Sequence, residues 1–129
     1  MIDALFDTNI VIYLSQKDER HLRFFWRTFK GKVAGVSVVT YIEAMIGVED
    51  EKEEMDLLAA LSHFQVVPLE LEVARQSVMT FRIRAQKSLK NPYFADTLIA
   101  HTALALGIPL VTNNPKDFAA FKKLKLIVP

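Results

Sequence analysis

Four carboxylates sit where they could do chemistry: Asp7 in IDALFDTNIVIYL, Glu43 in VVTYIEAMIG, Asp96 in NPYFADTLIAHTALALG and Asp117 in LVTNNPKDF. Each falls at or near the start of a segment with helical spacing, so each has a local explanation. Asp7 can cap the helix that follows it, and Thr40 with Glu43 matches a T-x-x-E capping box. Asp96 fits a first helical turn after Asn91-Pro92, and Asn114 with Asp117 fits another cap. A cap contributes about 0.5–2 kcal/mol and requires no convergence of acids. In a parallel sheet, however, the helices that follow strands all begin along one edge, so several such acids would face one cleft. Clustered carboxylates repel and raise one another's pKa unless a cation neutralises them. A hard ion such as Mg²⁺ or Mn²⁺, which takes oxygen ligands and keeps several waters, is the economical partner for such a cluster.

The elements that must position these acids follow from periodicity. Apolar runs with β-branched residues (2–6, 33–38, 65–69, 108–112, 124–128) alternate with stretches whose apolar residues recur at three and four. That alternation predicts an α/β domain, a parallel sheet of about five strands flanked by helices. The helices are expected over 8–16, 18–29, 39–48, 51–63, 71–90 and 93–106, with a short one after Pro115. Gly107 reads as a C-cap, and Pro92 and Pro115 as first-turn prolines. The Glu49–Glu54 run reads as the solvated start of a helix.

The chain has 129 residues, 51% of them hydrophobic, which suits a single domain spanning 1–129. The absence of cysteine excludes disulfides, a thiol nucleophile and thiolate zinc sites. No apolar run approaches the roughly 20 residues of a membrane span, and Asp3 and Asp7 stand where a secretory leader would carry positive charge. A soluble cytoplasmic protein is expected. With a net charge of +1, any affinity for nucleic acid must come from local patches. Arg82, Arg84, Lys87 and Lys90 form one such group and Arg20, Arg23, Arg27, Lys30 and Lys32 another; each is also explained as solvated helix surface. Tyr93 and Phe94 could stack a base or join the core. His21, His63 and His101 share no ligand spacing and are assigned no catalysis. Phe24, Phe25, Trp26 and Phe29 suit a core or a partner interface. Met55, Leu57, Leu58, Leu61 and Phe64 suit a partner groove or a helix face buried in its own core.

Taken in order, FDTNIVIYL, the S-x-x-T-x-x-E of Ser37 to Glu43, the A-D-x-L-I-A-x-x-A helix around Asp96 and L-V-T-N-N-x-x-D-F resemble a PIN-domain ribonuclease. Within that family the pattern is most similar to the small VapC-type toxins of toxin–antitoxin modules. The resemblance spans about 2–118. It implies a PIN-like α/β/α sandwich with Asp7, Glu43 and Asp96 as an acidic triad, Asp7 and Asp96 holding Mg²⁺ or Mn²⁺. Asp117 would be the fourth acid with Asn114 supporting it, Thr112 would position water or phosphate, and Asn9 would either brace the Asp7 loop or be an exposed first-turn residue. It further implies hydrolysis of single-stranded or loop RNA by metal-activated water, a homodimer, and a cognate antitoxin whose C-terminal segment lies across a groove. A housekeeping RNA-processing nuclease and a catalytically silent PIN-like RNA-binding module are the alternatives. A receiver-like phosphoacceptor domain has similar length, but its central aspartate would fall in the charged helix at 49–56.

Overall fold

Strand β1 (Ala4–Phe6) is buried on both faces, and it stops where the chain turns polar at Asp7. A computed structural model describes residues 1–129. Asp7 keeps an extended backbone and its carboxylate accepts the Thr8 N–H, opening α1 (Thr8–Ser15). Asp18 caps α2 (Glu19–Thr28), Ser37 joins β2 (Ala34–Ser37) to α3 (Val38–Ile46), and Asp50 caps α4 (Glu51–Leu61). After β3 (Phe64–Val67) come α5 (Leu71–Gln86), α6 (Phe94–Leu106), β4 (Leu110–Val111), a 3-10 turn (Pro115–Phe118) and β5 (Leu126–Ile127).

All strand pairs are parallel, in the order β3-β2-β1-β4-β5. Because the chain winds outward from β1 in one direction and resumes at β4 in the other, the β1/β4 boundary is the topological switch point. There the crevice beyond the strand C-termini opens. The backbone ladder brings Asp7 N–H to the Val111 carbonyl at 2.9 Å, setting the end of β1 beside the end of β4.

Alternation along β1 divides the core into two layers. Ala4 and Phe6 join Ile10, Val11, Phe25, Phe29, Leu57 and Leu61 on one face, whereas Leu5 joins Ile99, Ala103, Leu110 and Phe118 on the other. The Phe6 ring meets Phe25, Phe29 and Phe64 edge-on, with centroids 4.8–5.8 Å apart. The sheet is therefore covered by helices on both faces, the predicted α/β/α arrangement. No helix is long and apolar enough to cross a membrane.

Several local expectations change. Thr40 and Glu43 do not form a capping box: Ser37 caps α3 by accepting from Val39 N–H, and Thr40 is buried inside the helix. Asn114 precedes the 3-10 turn without capping it, although Pro115 does occupy its first turn. Helix α5 ends at Gln86, not Lys90; Ser88 takes a left-handed φ of 57° and the chain runs irregularly to Tyr93. Pro92 thus lies before α6, consistent with its bias against helix in the residue preceding it. Gly107, with φ of 66°, is the expected left-handed C-cap. Strand β4 begins only after Pro109, which has no N–H to give a neighbour.

Candidate active site

Asp7 is the anchor because burial and two short hydrogen bonds remove its rotational freedom. It is 5% exposed; Oδ1 accepts from Thr8 N–H at 2.8 Å and Oδ2 from the Thr112 hydroxyl at 2.9 Å. Thr112, at the end of β4, is fully buried, and its oxygen also accepts the Asn114 N–H at 3.0 Å. Thr112 thus holds Asp7 and folds its own turn. The Thr8 hydroxyl, a residue the sequence did not single out, donates to Glu43 Oε1 at 2.7 Å and lies 3.1 Å from the Thr40 hydroxyl. Thr8 thereby ties α1 to α3 and braces two acids at once. Asn9 is exposed in the first turn of α1, and its side chain makes no hydrogen bond.

Asp96 lies in the first turn of α6 and Asp117 in the 3-10 turn after β4. The pKa of Asp96 is pushed up to about 7, first by burial and then by the carboxylates of Asp7, Asp117 and Glu43. Burial also raises Asp7, with Glu43 and Asp117 adding to the rise and the bonds from Thr112 and Thr8 opposing it. The fold thus brings together the four acids. No three of these side chains close on a single point tightly enough to grip one ion directly. The donor set fits a hard cation that keeps part of its water shell: anionic oxygens on several elements, mutually repelling, with Asp7 held in place. Asp7 and Asp96 would hold such an ion, with Glu43 reached through water.

Asp96 and Asp117 open into a cavity of about 590 Å³ that Arg84, Lys90, Lys116 and Lys122 also line, with Tyr93 and Asn91. None of these four cations is in an ion pair. Arg84 donates from Nε and Nη2 to the Lys90 carbonyl, which shapes the 87–93 segment. Of the proposed basic residues, Arg84 and Lys90 reach the cavity, whereas Arg82 and Lys87 do not line it. Lys116 and Lys122, in KDFAAFKK, were not anticipated; their closeness to Asp117 was the available signal. Tyr93 is 81% exposed, while Phe94 packs edge-on against Phe81. Asn114 is exposed and its side chain makes no hydrogen bond.

The histidines are dispersed. His101 is bonded to Thr80 at 2.7 Å and its pKa is lowered by burial; His63 stacks edge-on with Trp26. Phe25 and Phe29 are core, and Trp26 is half-exposed beside them. Leu57, Leu61 and Phe64 are buried, while Met55 and Leu58 are exposed.

The pattern of the PIN domain matches residues 4–124. The chain belongs to the PIN-domain family. Solved structures similar to this PIN domain include VapBC2 from Rickettsia felis bound to a DNA fragment from their promoter. That match has 26% identity over 99% of this chain and 98% of the other, with a TM-score of 0.84. A toxin–antitoxin complex from Klebsiella pneumoniae is 30% identical over 97% and 96% of the two chains, with a TM-score of 0.72. DNA-bound VapBC from Salmonella typhimurium, at 21% identity, covers 99% and 98% with a TM-score of 0.81 and shows likeness of fold. No curated protein sequence matches the chain.

Proposed function

We propose that this PIN domain is a Mg²⁺- or Mn²⁺-dependent endoribonuclease and the toxin of a VapBC-like toxin–antitoxin pair. The observation that carries the proposal is the convergence of Asp7, Glu43, Asp96 and Asp117 near the β1/β4 switch point, with Asp96 pushed up to about 7 by burial and then by its acidic neighbours. A silent module whose acids survive as caps is disfavoured, because among the four only Asp7 accepts a helix N–H with its side chain.

Asp7, fixed by Thr8 and Thr112, and Asp96 would hold the ion; Glu43 would act through water and Asp117 would be the fourth acid, with Asn114 supporting it. A bound divalent ion lowers the pKa of a water and polarises a phosphoryl oxygen. Glu43 or Asp117 accepts a proton from the attacking water. The water oxygen bonds to phosphorus, and the P–O3′ bond breaks. Its electron pair and a proton go to O3′, leaving 5′-phosphate and 3′-hydroxyl ends. Arg84, Lys90, Lys116 and Lys122 hold the flanking phosphates, and the exposed Tyr93 ring offers a stacking face for an unpaired base. A single-stranded or looped RNA is the substrate that such a cavity suits.

The VapBC and toxin–antitoxin complexes among similar structures support an antitoxin partner. The apolar hollow between α1, α2 and α4, about 190 Å³ and lined by Leu22, Phe25, Trp26 and Ala59 among others, is its proposed seat. We place the active protein in the cytoplasm, as a homodimer. The test is cleavage of a small-RNA pool by the purified chain with Mg²⁺ or Mn²⁺, beside EDTA and a folded Asp96→Asn variant. Discrete cuts that disappear in both controls are expected. Absence of cleavage across metals and RNAs by antitoxin-free protein returns the assignment to a silent module.

A further inference from the structure

His21 is 5% exposed, and both ring nitrogens are engaged. Arg20 can only donate, so the Asn113 atom 3.3 Å from its Nη2 is the carbonyl Oδ1, which leaves Asn113 Nδ2 facing His21 Nε2 at 2.7 Å. Nε2 therefore accepts, the ring proton sits on Nδ1, and Nδ1–H donates to Asp18. Asp18 in turn accepts the His21 backbone N–H at 3.1 Å, and these two bonds hold its carboxyl below the usual carboxylate range. The ring lies flat against Tyr13, with centroids 4.5 Å apart and planes 6° from parallel. A buried, doubly bonded and stacked imidazole has one available orientation.

Its far end grips the residue between the two that build the Asp7 clamp. Asn113 follows Thr112, which donates to Asp7 Oδ2, and precedes Asn114, whose N–H closes the turn onto Thr112. We propose that His21 is a positioning residue of the candidate active site, fixing the Thr112–Asn114 turn through Asn113 and so setting the carboxylate of Asp7 for a divalent cation. This rests on the proposed metal site but not on the identity of the substrate. Loss of a partner one bond removed from a ligand, as Thr112 is from Asp7, changes metal affinity by about 10–100-fold; Asn113 and His21 act through Thr112, so the lower end of that range applies to them.

The experiment is Mn²⁺ affinity, measured by electron paramagnetic resonance of free ion at constant pH, for the full chain and for His21→Ala, Asn113→Ala and the double variant. Thermal melts accompany each. Asn113 is only partly buried, so its truncation keeps the fold if His21→Ala does not. Weakening by about tenfold in each folded single variant is expected, with the double variant no weaker than the worse single, because both lie on one chain of contacts. Wild-type Mn²⁺ affinity in folded Asn113→Ala, or losses that multiply in the double variant, overturns the positioning role. Tight Mn²⁺ binding without RNA cleavage overturns the nuclease assignment while the affinities still judge His21. A wild-type chain that binds no Mn²⁺ overturns both.

Discussion

Replacing Asp96 with asparagine is expected to stabilise the metal-free protein at pH 8, although it removes a proposed ligand. The carboxyl of Asp96 has its pKa raised from 3.8 to about 7 by burial and by three neighbouring carboxylates. Each tenfold displacement of a proton equilibrium is worth about 1.4 kcal/mol. Unscreened, the ionised side chain therefore costs the folded state about 4 kcal/mol; Asp96 is partly exposed, and solvent screening reduces the working figure to about 2 kcal/mol. The sign is set by a raised acid. Below pH 3.8 the group is protonated in both states and the cost is absent; it accumulates as pH rises from about 4 to about 7 and is constant above. Asparagine carries none of it. In EDTA, the melting temperature of Asp96→Asn should exceed that of wild type by roughly 6–10 °C at pH 8, and the two should converge towards pH 4. Saturating Mn²⁺ should reverse the order, because a ligand at about 100 times its Kd adds about 2.7 kcal/mol to the state that binds it. Calorimetry or circular dichroism melts over pH 4–8.5, with and without Mn²⁺, measure all of this. A variant less stable than wild type in EDTA at pH 8, or a gap indifferent to pH, refutes the picture of an acid cluster awaiting a cation.

Thr112→Val keeps the shape of a fully buried side chain but deletes the donor to Asp7 and the acceptor of Asn114 N–H; urea titration should record a loss of about 1–3 kcal/mol, and cleavage should fall with it. Thr8→Val, which removes the 2.7 Å bond to Glu43, should lower kcat, and an unchanged kcat would separate Glu43 from the chemistry. Arg84→Ala and Lys122→Ala, on the cavity wall, should raise KM more than they lower kcat. Each should also reduce the slope of log affinity against log salt by about 0.7 for single-stranded RNA; Arg82→Ala, which does not line the cavity, is the contrasting variant. Phe6→Ala empties the meeting point of three other rings and should cost about 3–5 kcal/mol in denaturant unfolding.

The order of strands and helices was legible in the chain because hydrophobic period and local chemistry act over a few residues. A run such as Ala4–Phe6 has no polar face to offer water, Asp7 opens α1 by capping it with its carboxylate, and Gly107 ends α6 with a left-handed backbone. The positions of Asp7, Asp96 and Asp117 were legible for the same reason: each stands at or just inside the start of a helix or turn, and a parallel sheet gathers such starts on one edge; Glu43 lies in the second turn of α3. What lay beyond reading along the chain depends on which faces meet across elements. Glu43 matched a capping box by spacing, yet its partner is Thr8, 35 residues away. Arg84 faces the cavity and Arg82 does not, because two residues on a helix differ by about 200° in direction. The bond from Thr112 to Asp7 joins residues 105 apart in the chain. His21 gives no motif at all; its bond to Asn113, 92 residues away, exists only because α2 packs beside the end of β4. Local sequence can specify where an element begins and which side it buries, but the partner of a polar side chain is chosen by the packing of whole elements, and that choice is made in three dimensions.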